Sequence, residues 1–270
     1  MGPRYVAHRG GAALWPENSL EAFRGAIALG AGMLELDVHL TADGNAAVIH
    51  DPTLERTTTG SGPVATRTAG ELRRLNLKKR DGTLADGGVP MLEDVLELAA
   101  ASAVVLLIEI KTPGPAVTYR GVAGGMQAVP GERYPGLEQR VLASLSAAGL
   151  AERANVMAFN PAVLAEVRSL APRQPTTLLV DRHHVAGAGA RGADAVAWAT
   201  GVGAVYLGLH ASLCDEAVIT AARAAGVAVG VFTVNDETEM RRLAALGVDV
   251  IISDRADLVA KMEREAAATR

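Results

Sequence analysis

Two carboxylates two residues apart, Glu35 and Asp37, stand in a stretch that otherwise reads as a strand, MLELDVHL. Alternate side chains of a strand share a face, so these acids point one way and Leu34, Leu36 and Val38 the other. An isolated buried charge is very costly, so two carboxylates on one face call for a cation between them. Asp43-Gly44 then marks a tight turn, and a short return strand ends in His50-Asp51. A second apolar run, VVLLIEIK, ends in Glu109 and Lys111, which share a face with Leu107. A third, RYVAH, puts Val6 and His8 on one face and leads into Arg9. Oxygen ligands from Glu35, Asp37 and Glu109 suit a hard divalent cation such as Mg²⁺ or Ca²⁺. Cys214 is the only cysteine, so a thiolate zinc site is not supported. Salt bridges to Arg9 and Lys111 would use two of the three negative charges and leave one over.

The imidazoles His8 and His50 each stand beside a charged residue, and imidazole exchanges protons near neutral pH. With a metal polarising an oxygen, such a pair suits hydrolysis of a phosphoester. Arg9, a planar fork, and Lys111, a point charge, would then neutralise phosphate oxygens. His39, His183, His184 and His210 have no such company and are expected to be structural or on the surface. Neither Gly10-Gly11 nor Gly60-Ser61-Gly62 has the spacing of a P-loop or a dinucleotide fingerprint. No Gly-x-Ser-x-Gly elbow is present.

Positioning these groups needs a scaffold. Apolar strands are expected at 4–8, 33–51 (with its hairpin), 104–111, 155–159, 176–180, 204–209, 227–234 and 248–253. Helices are expected at 17–29, 91–101, 136–148, 161–170, 212–225, 236–246 and 255–267, with a further one around 194–200 in the less regular stretch 181–203. Alternating apolar strands and helices imply a parallel sheet covered by helices. Eight units fit a closed (β/α)₈ TIM-type barrel, whose chemistry sits at the C-terminal ends of the strands. Residues 52–90 have another texture, with RTTTGSG and KKRDGTLADGG, and read as a small insertion after the second strand, lying over the barrel mouth. The expectation is one catalytic domain over 1–270. The Gly- and Pro-rich stretch 112–135 reads as a long loop. His50 ends a return strand, so it reaches the barrel mouth only if the hairpin folds across.

The chain has 270 residues with 49% hydrophobic but only 3% aromatic content, so its core must be Ala, Val and Leu. A net charge of −4 argues against a general nucleic-acid binder. No apolar run of about 18 residues appears, so no stable membrane insertion is expected. One cysteine fits a reducing compartment, and a cytoplasmic location is the expectation. Oligomeric state is not legible.

The motifs HRGG, PENSLEAF, LELDVHLTADGNAAVIHDPTLERTTTGSG, VPMLEDVL and LLIEIK, with YPGLEQRVL and VFTVNDETEMRRLAALGVDVIISD later on, resemble the glycerophosphodiester phosphodiesterase family. The resemblance implies a TIM-type barrel and metal-dependent hydrolysis of glycerophosphodiesters to sn-glycerol 3-phosphate and an alcohol. It implies that Glu35, Asp37 and Glu109 hold the metal and that His8 and His50 act as general acid and base. Substrate contacts would fall to Arg9, Lys111, Glu17, Asn18 and Phe232. Phe232 stands where the family usually has Trp, Ala158 precedes Phe159-Asn160 where it often has Ser, and Asp254-Arg255-Ala256 replaces its Asp-x-Pro. Two other readings share the residues: a lysophospholipase D-like or other phosphodiesterase, and a non-catalytic barrel that binds a phosphorylated ligand.

Overall fold

The computed structural model describes residues 2–122 and 125–268. Eight strands form the ring: β1 (Arg4–Ala7), β2 (Met33–Leu40), β3 (Val105–Ile110), β4 (Ala154–Ala158), β5 (Thr176–Val180), β6 (Tyr206–His210), β7 (Ala228–Phe232) and β8 (Val250–Ser253). Each pairs in parallel with the next, and β1 pairs with both β8 and β2, which closes the barrel. Among the described residues, nine helices pack outside: α1 (Leu20–Leu29), α2 (Leu92–Ala100), α3 (Leu137–Ala147), α4 (Pro161–Leu170), α5 (Arg182–Ala188), α6 (Asp194–Gly201), α7 (Glu216–Ala225), α8 (Glu237–Leu246) and α9 (Ala256–Ala268).

Strand alternation divides the apolar residues into two cores. Leu34, Leu36, Val38, Leu106, Ile108 and Ile110 face outward and pack under the helices. Val6, Met33, Leu107, Met157, Leu179, Val250 and Ile252 fill the barrel interior. The parity that puts Met33 inside puts Glu35 and Asp37 inside above it, and the parity of Leu107 does the same for Glu109. Local chemistry fixes the first helix: the Ser19 hydroxyl accepts from Ala22 N at 3.0 Å as N-cap, and Gly30 ends α1 at φ 101°.

Three segments differ from the sequence expectation. Residues 112–135 are not a loop throughout: Val117–Val122 and Gly125–Pro130 pair as an antiparallel hairpin. Val117 and Tyr119 are buried while Thr118 and Arg120 are exposed, a period-two pattern that the flanking glycines and prolines obscure. Residues 123–124 lie outside the described residues. Stretch 181–203 holds two helices, α5 and α6, the first opened by Asp181. The first strand stops at Ala7, and His8–Gly10 turns as a short 3-10 helix with Arg9 at φ 52°.

In residues 52–90 a short turn of helix (Ala69–Leu72) and a two-stranded ribbon (Leu77–Lys78 with Leu84–Ala85) surround a small core of their own. Leu54, Val64, Leu72, Leu77 and Val89 pack there with Ala47, Ile49 and Met91 from the barrel side.

Two histidines expected to be structural or on the surface are buried, His39 at 1% exposure and His184 at 4%. Burial pushes each down to about 4 from an ordinary 6.5. Both are built in as neutral acceptors: His39 Nδ1 accepts from the Tyr134 hydroxyl at 2.9 Å while its Nε2–H donates to His50 O at 2.9 Å, and His184 Nδ1 accepts from Asp181 N at 3.0 Å. In the unfolded chain both protonate as pH falls through about 6.5, and in the folded chain they do not until about 4. Stability is therefore fully present above that window and is lost as pH falls through it. Thermal melts between pH 7 and pH 4.5 are expected to show a falling Tm, with a smaller fall in His184→Asn.

Candidate active site

The acids converge. Glu35, Asp37 and Glu109 are buried, and each offers an oxygen within 4.8 Å of the others. β2 and β3 pair with Asp37 opposite Glu109, which is why residues 72 positions apart meet. Two cations reach into the group. Lys111 Nζ lies 2.7 Å from Glu109 Oε1 and 3.0 Å from Asp37 Oδ1. Arg9 Nε lies 3.3 Å from Asp37 Oδ2. Neither contact to Asp37 has the angles of a hydrogen bond, so Asp37 Oδ1 and Arg9 Nε stay buried without one. Arg9 N donates to Glu35 Oε2 at 2.9 Å, a contact set up by the left-handed turn at Arg9.

The charges are uneven, and the carboxyls split accordingly. Burial and then the neighbouring Asp37 push the Glu35 carboxyl well above the usual carboxylate range. Burial also opposes ionisation of Asp37, but Lys111 and Arg9 outweigh it and hold Asp37 well below its ordinary value. His50 and His8 add to that lowering, so both imidazoles act on the same carboxylate.

The two histidines are held alike. His8 Nδ1 is 2.6 Å from Asp254 Oδ1, and His50 Nδ1 is 2.7 Å from Asp51 Oδ1. A carboxylate is acceptor-only, so the network assigns the proton to Nδ1 in each ring and leaves Nε2 as the acceptor. His8 Nε2 is 3.8 Å from Glu35 Oε2. The return strand Ala46–Val48 pairs antiparallel with β2, and Ile49 N donates to Asp37 O at 3.1 Å. That bond, with the one from His39 to His50 O, folds His50 back against β2.

The other sequence-selected residues fall around this centre. Asn18, at φ 56°, uses its whole carboxamide on Asp37: Nδ2 donates to Oδ2 at 2.8 Å and Oδ1 accepts from Asp37 N at 3.3 Å. Glu17 Oε1 accepts from Arg9 at 2.9 Å and from Arg56 at 2.8 Å, and its Oε2 accepts from Arg56 at 2.7 Å. Phe232 ends β7, its ring 6.0 Å from Phe159 and edge-on to it, in an apolar wall of the mouth.

Sequence reasoning missed Asp254 and Arg56. Asp254 directly follows β8, so the strand-end rule pointed to it, but its partner His8 is 246 positions away. Asn235 Nδ2 donates to Asp254 Oδ2 at 2.9 Å, so both carboxylate oxygens are used. Arg56, inside what reads as a turn-rich run, forks between Asp51 at 2.6 Å and Glu17. It ties the insertion to both the His50 and the Arg9 sides of the site.

Residues 8–258 match the model of the glycerophosphoryl diester phosphodiesterase family. A glycerophosphodiester phosphodiesterase of Bacillus altitudinis is 32% identical over 268 residues, 97% of this chain and 98% of that protein. One of Caldanaerobacter subterraneus subsp. tengcongensis is 30% identical over 264 residues, 96% of this chain and 97% of that protein. The crystal structure of a glycerophosphodiester phosphodiesterase from Agrobacterium tumefaciens superposes with a TM-score of 0.74 at 27% identity, covering 96% of this chain and 99% of that one.

The Arg56 fork is half-exposed, and such pairs contribute about 1 kcal/mol or less to stability. Arg56→Ala is therefore expected to leave Tm within a few degrees of the parent while amide hydrogen exchange rises across residues 52–63. Unchanged exchange there would show that the fork does not anchor the insertion.

Proposed function

The chain belongs to the glycerophosphoryl diester phosphodiesterase family, and on that premise we propose that it is a metal-dependent phosphodiesterase hydrolysing small glycerophosphodiesters to sn-glycerol 3-phosphate and an alcohol. The observation that carries the metal is the unbalanced burial of Glu35, Asp37 and Glu109 against Lys111 and Arg9, with Asp37 Oδ1 lacking a hydrogen bond. These oxygens fit a hard divalent cation, Mg²⁺ or Ca²⁺, better than they fit two fixed cations alone. When bound, the ion supplies positive charge to the phosphoryl oxygens.

The chain's own residues do the rest. Arg9 and Lys111 bring fixed positive charge to the place where the phosphoryl group binds. Glu17 aims the Arg9 guanidinium, and Asn18 locks the orientation of Asp37. Phe232, with Phe159, gives an apolar surface to the substrate's carbon atoms. His8 and His50, with Nδ1 tied to Asp254 and Asp51, each present Nε2 for proton transfer. One, neutral, takes a proton at Nε2 from the oxygen that attacks phosphorus, and the other, protonated on Nε2 as well as Nδ1, delivers its Nε2 proton to the alcohol oxygen as the bond to phosphorus breaks. The entire chain acts as a single catalytic unit, with residues 52–90 forming one wall of the mouth. No helix among the described residues is long and apolar enough to cross a membrane, and Cys214 is a buried free thiol. The single cysteine fits a reducing compartment, and we propose a cytoplasmic location and soluble diesters rather than lysophospholipids as substrates.

Release of glycerol 3-phosphate from glycerophosphocholine is expected with Mg²⁺ or Ca²⁺, to vanish with chelator, and to exceed choline release from lysophosphatidylcholine. Glu35→Gln should abolish this turnover and retain the parent's circular dichroism. Wild-type-like turnover in that variant would refute the metal assignment. Asp254→Asn is expected to lower kcat at least about tenfold with little change in KM, since it loosens the tautomer and aim of His8. An unchanged kcat would remove His8 from the proton-transfer role.

A further inference from the structure

Beside the acids lies a pocket of about 420 Å³ that the catalytic groups alone do not account for. His8, Arg9, Glu17 and Asp254 form its inner edge, and Trp15, Arg56, Thr57 and the turn Lys78-Lys79-Arg80 form its outer wall. Five cations thus face two carboxylates. The carboxylates are occupied, Glu17 by Arg9 and Arg56, and Asp254 by His8 and Asn235. Lys78 Nζ donates to Glu55 O at 2.8 Å. Lys79 and Arg80 are exposed and have no ion pair among the described residues. Asp81, the nearest acid in sequence, spends Oδ1 on Thr83.

An independent observation points to a ligand. Thr57 lines the same pocket, the residue only 7% exposed, and its buried hydroxyl has no hydrogen-bond partner in the protein. A buried hydroxyl left unpaired is unfavourable. The backbone holds it beside the basic turn, because Lys78 N donates to Thr57 O at 2.8 Å. An acceptor oxygen bound between Thr57 and the turn would pair that hydroxyl and neutralise charge on Lys79 and Arg80.

We propose that this pocket is the subsite for the leaving alcohol, and that it selects diesters whose alcohol carries a further anionic group, a phosphomonoester. The inference rests on the phosphodiesterase reading given above. The glycerol arm is uncharged, so a cationic wall has nothing to recognise on it. The alcohol is the arm whose charge varies between substrates. A cationic alcohol such as choline would meet like charge here.

The test compares glycerophosphoinositol 4-phosphate with glycerophosphocholine, at saturating Mg²⁺, in the parent and in the Lys79→Ala/Arg80→Ala double variant. Each exposed charge pair is worth roughly 0.2–1 kcal/mol, so kcat/KM for the phosphorylated diester should fall about two- to thirtyfold in the double variant at low salt. The loss should shrink in 0.5 M NaCl, and glycerophosphocholine turnover should be unchanged or faster. Thr57→Val should raise KM for the phosphorylated diester and leave Tm unchanged or higher, because the lost hydroxyl is buried without a partner in the protein. Equal effects on both diesters, or none, would overturn the subsite. Should neither diester turn over, the phosphodiesterase reading fails by itself. Calorimetric binding of inositol 4-phosphate then decides the subsite: weakening by the double variant supports it, and equal binding rejects it.

Discussion

Three buried carboxylates with two fixed cations among them are the constraint on which this molecule turns. Taking an ion out of water costs several kcal/mol even after the protein relaxes. Lys111 and Arg9 offset that cost for Asp37, which stays ionised, and leave Glu35 pushed upward. Much of the surrounding structure follows from keeping this imbalance in place. The left-handed turn at Arg9 aims a backbone N–H at Glu35, and the left-handed Asn18 gives its amide to Asp37. Non-glycine residues in that region cost of order 1–3 kcal/mol, and here both cases adjoin the charged centre. A site stabilised only for folding would have replaced the third acid with an apolar side chain.

The histidines extend the same logic outward. Each imidazole is flanked at Nδ1 by an outer carboxylate, and the inner acid Glu35 lies on the Nε2 side of His8. The inner acids set the field at the barrel mouth, and Asp254 and Asp51 set ring orientation and tautomer. Arg56 and Asn235 in turn hold those two acids. The supporting shell is drawn from opposite ends of the chain, from the insertion on one side and from β7 and β8 on the other.

How far the sequence was legible follows from the range of the interactions. Glu35, Asp37, Glu109 and Lys111 were readable because strand parity is rigid and each strand carries its own apolar ruler. Closure of eight strands followed from counting them. Asp254 escaped because nothing local to it signals His8. Arg56 escaped because RTTTGSG looks like turn chemistry, and its guanidinium matters only once Glu17 and Asp51 are brought to it. The hairpin Val117–Pro130 was hidden by composition, since glycine and proline counts drowned the alternation of buried Val117 and Tyr119 with exposed neighbours. His50 is placed by the hairpin bond from Ile49 N to Asp37 O together with a bond from a histidine that looked unremarkable, His39.

The insertion packs on a small apolar nucleus that meets the barrel through Ala47, Ile49 and Met91. Its basic turn lies beyond that nucleus, in water. Replacements at the turn therefore leave both the nucleus and the barrel untouched. Substitution there can change the charge that this wall presents to the mouth without moving the residues at the ends of the barrel strands.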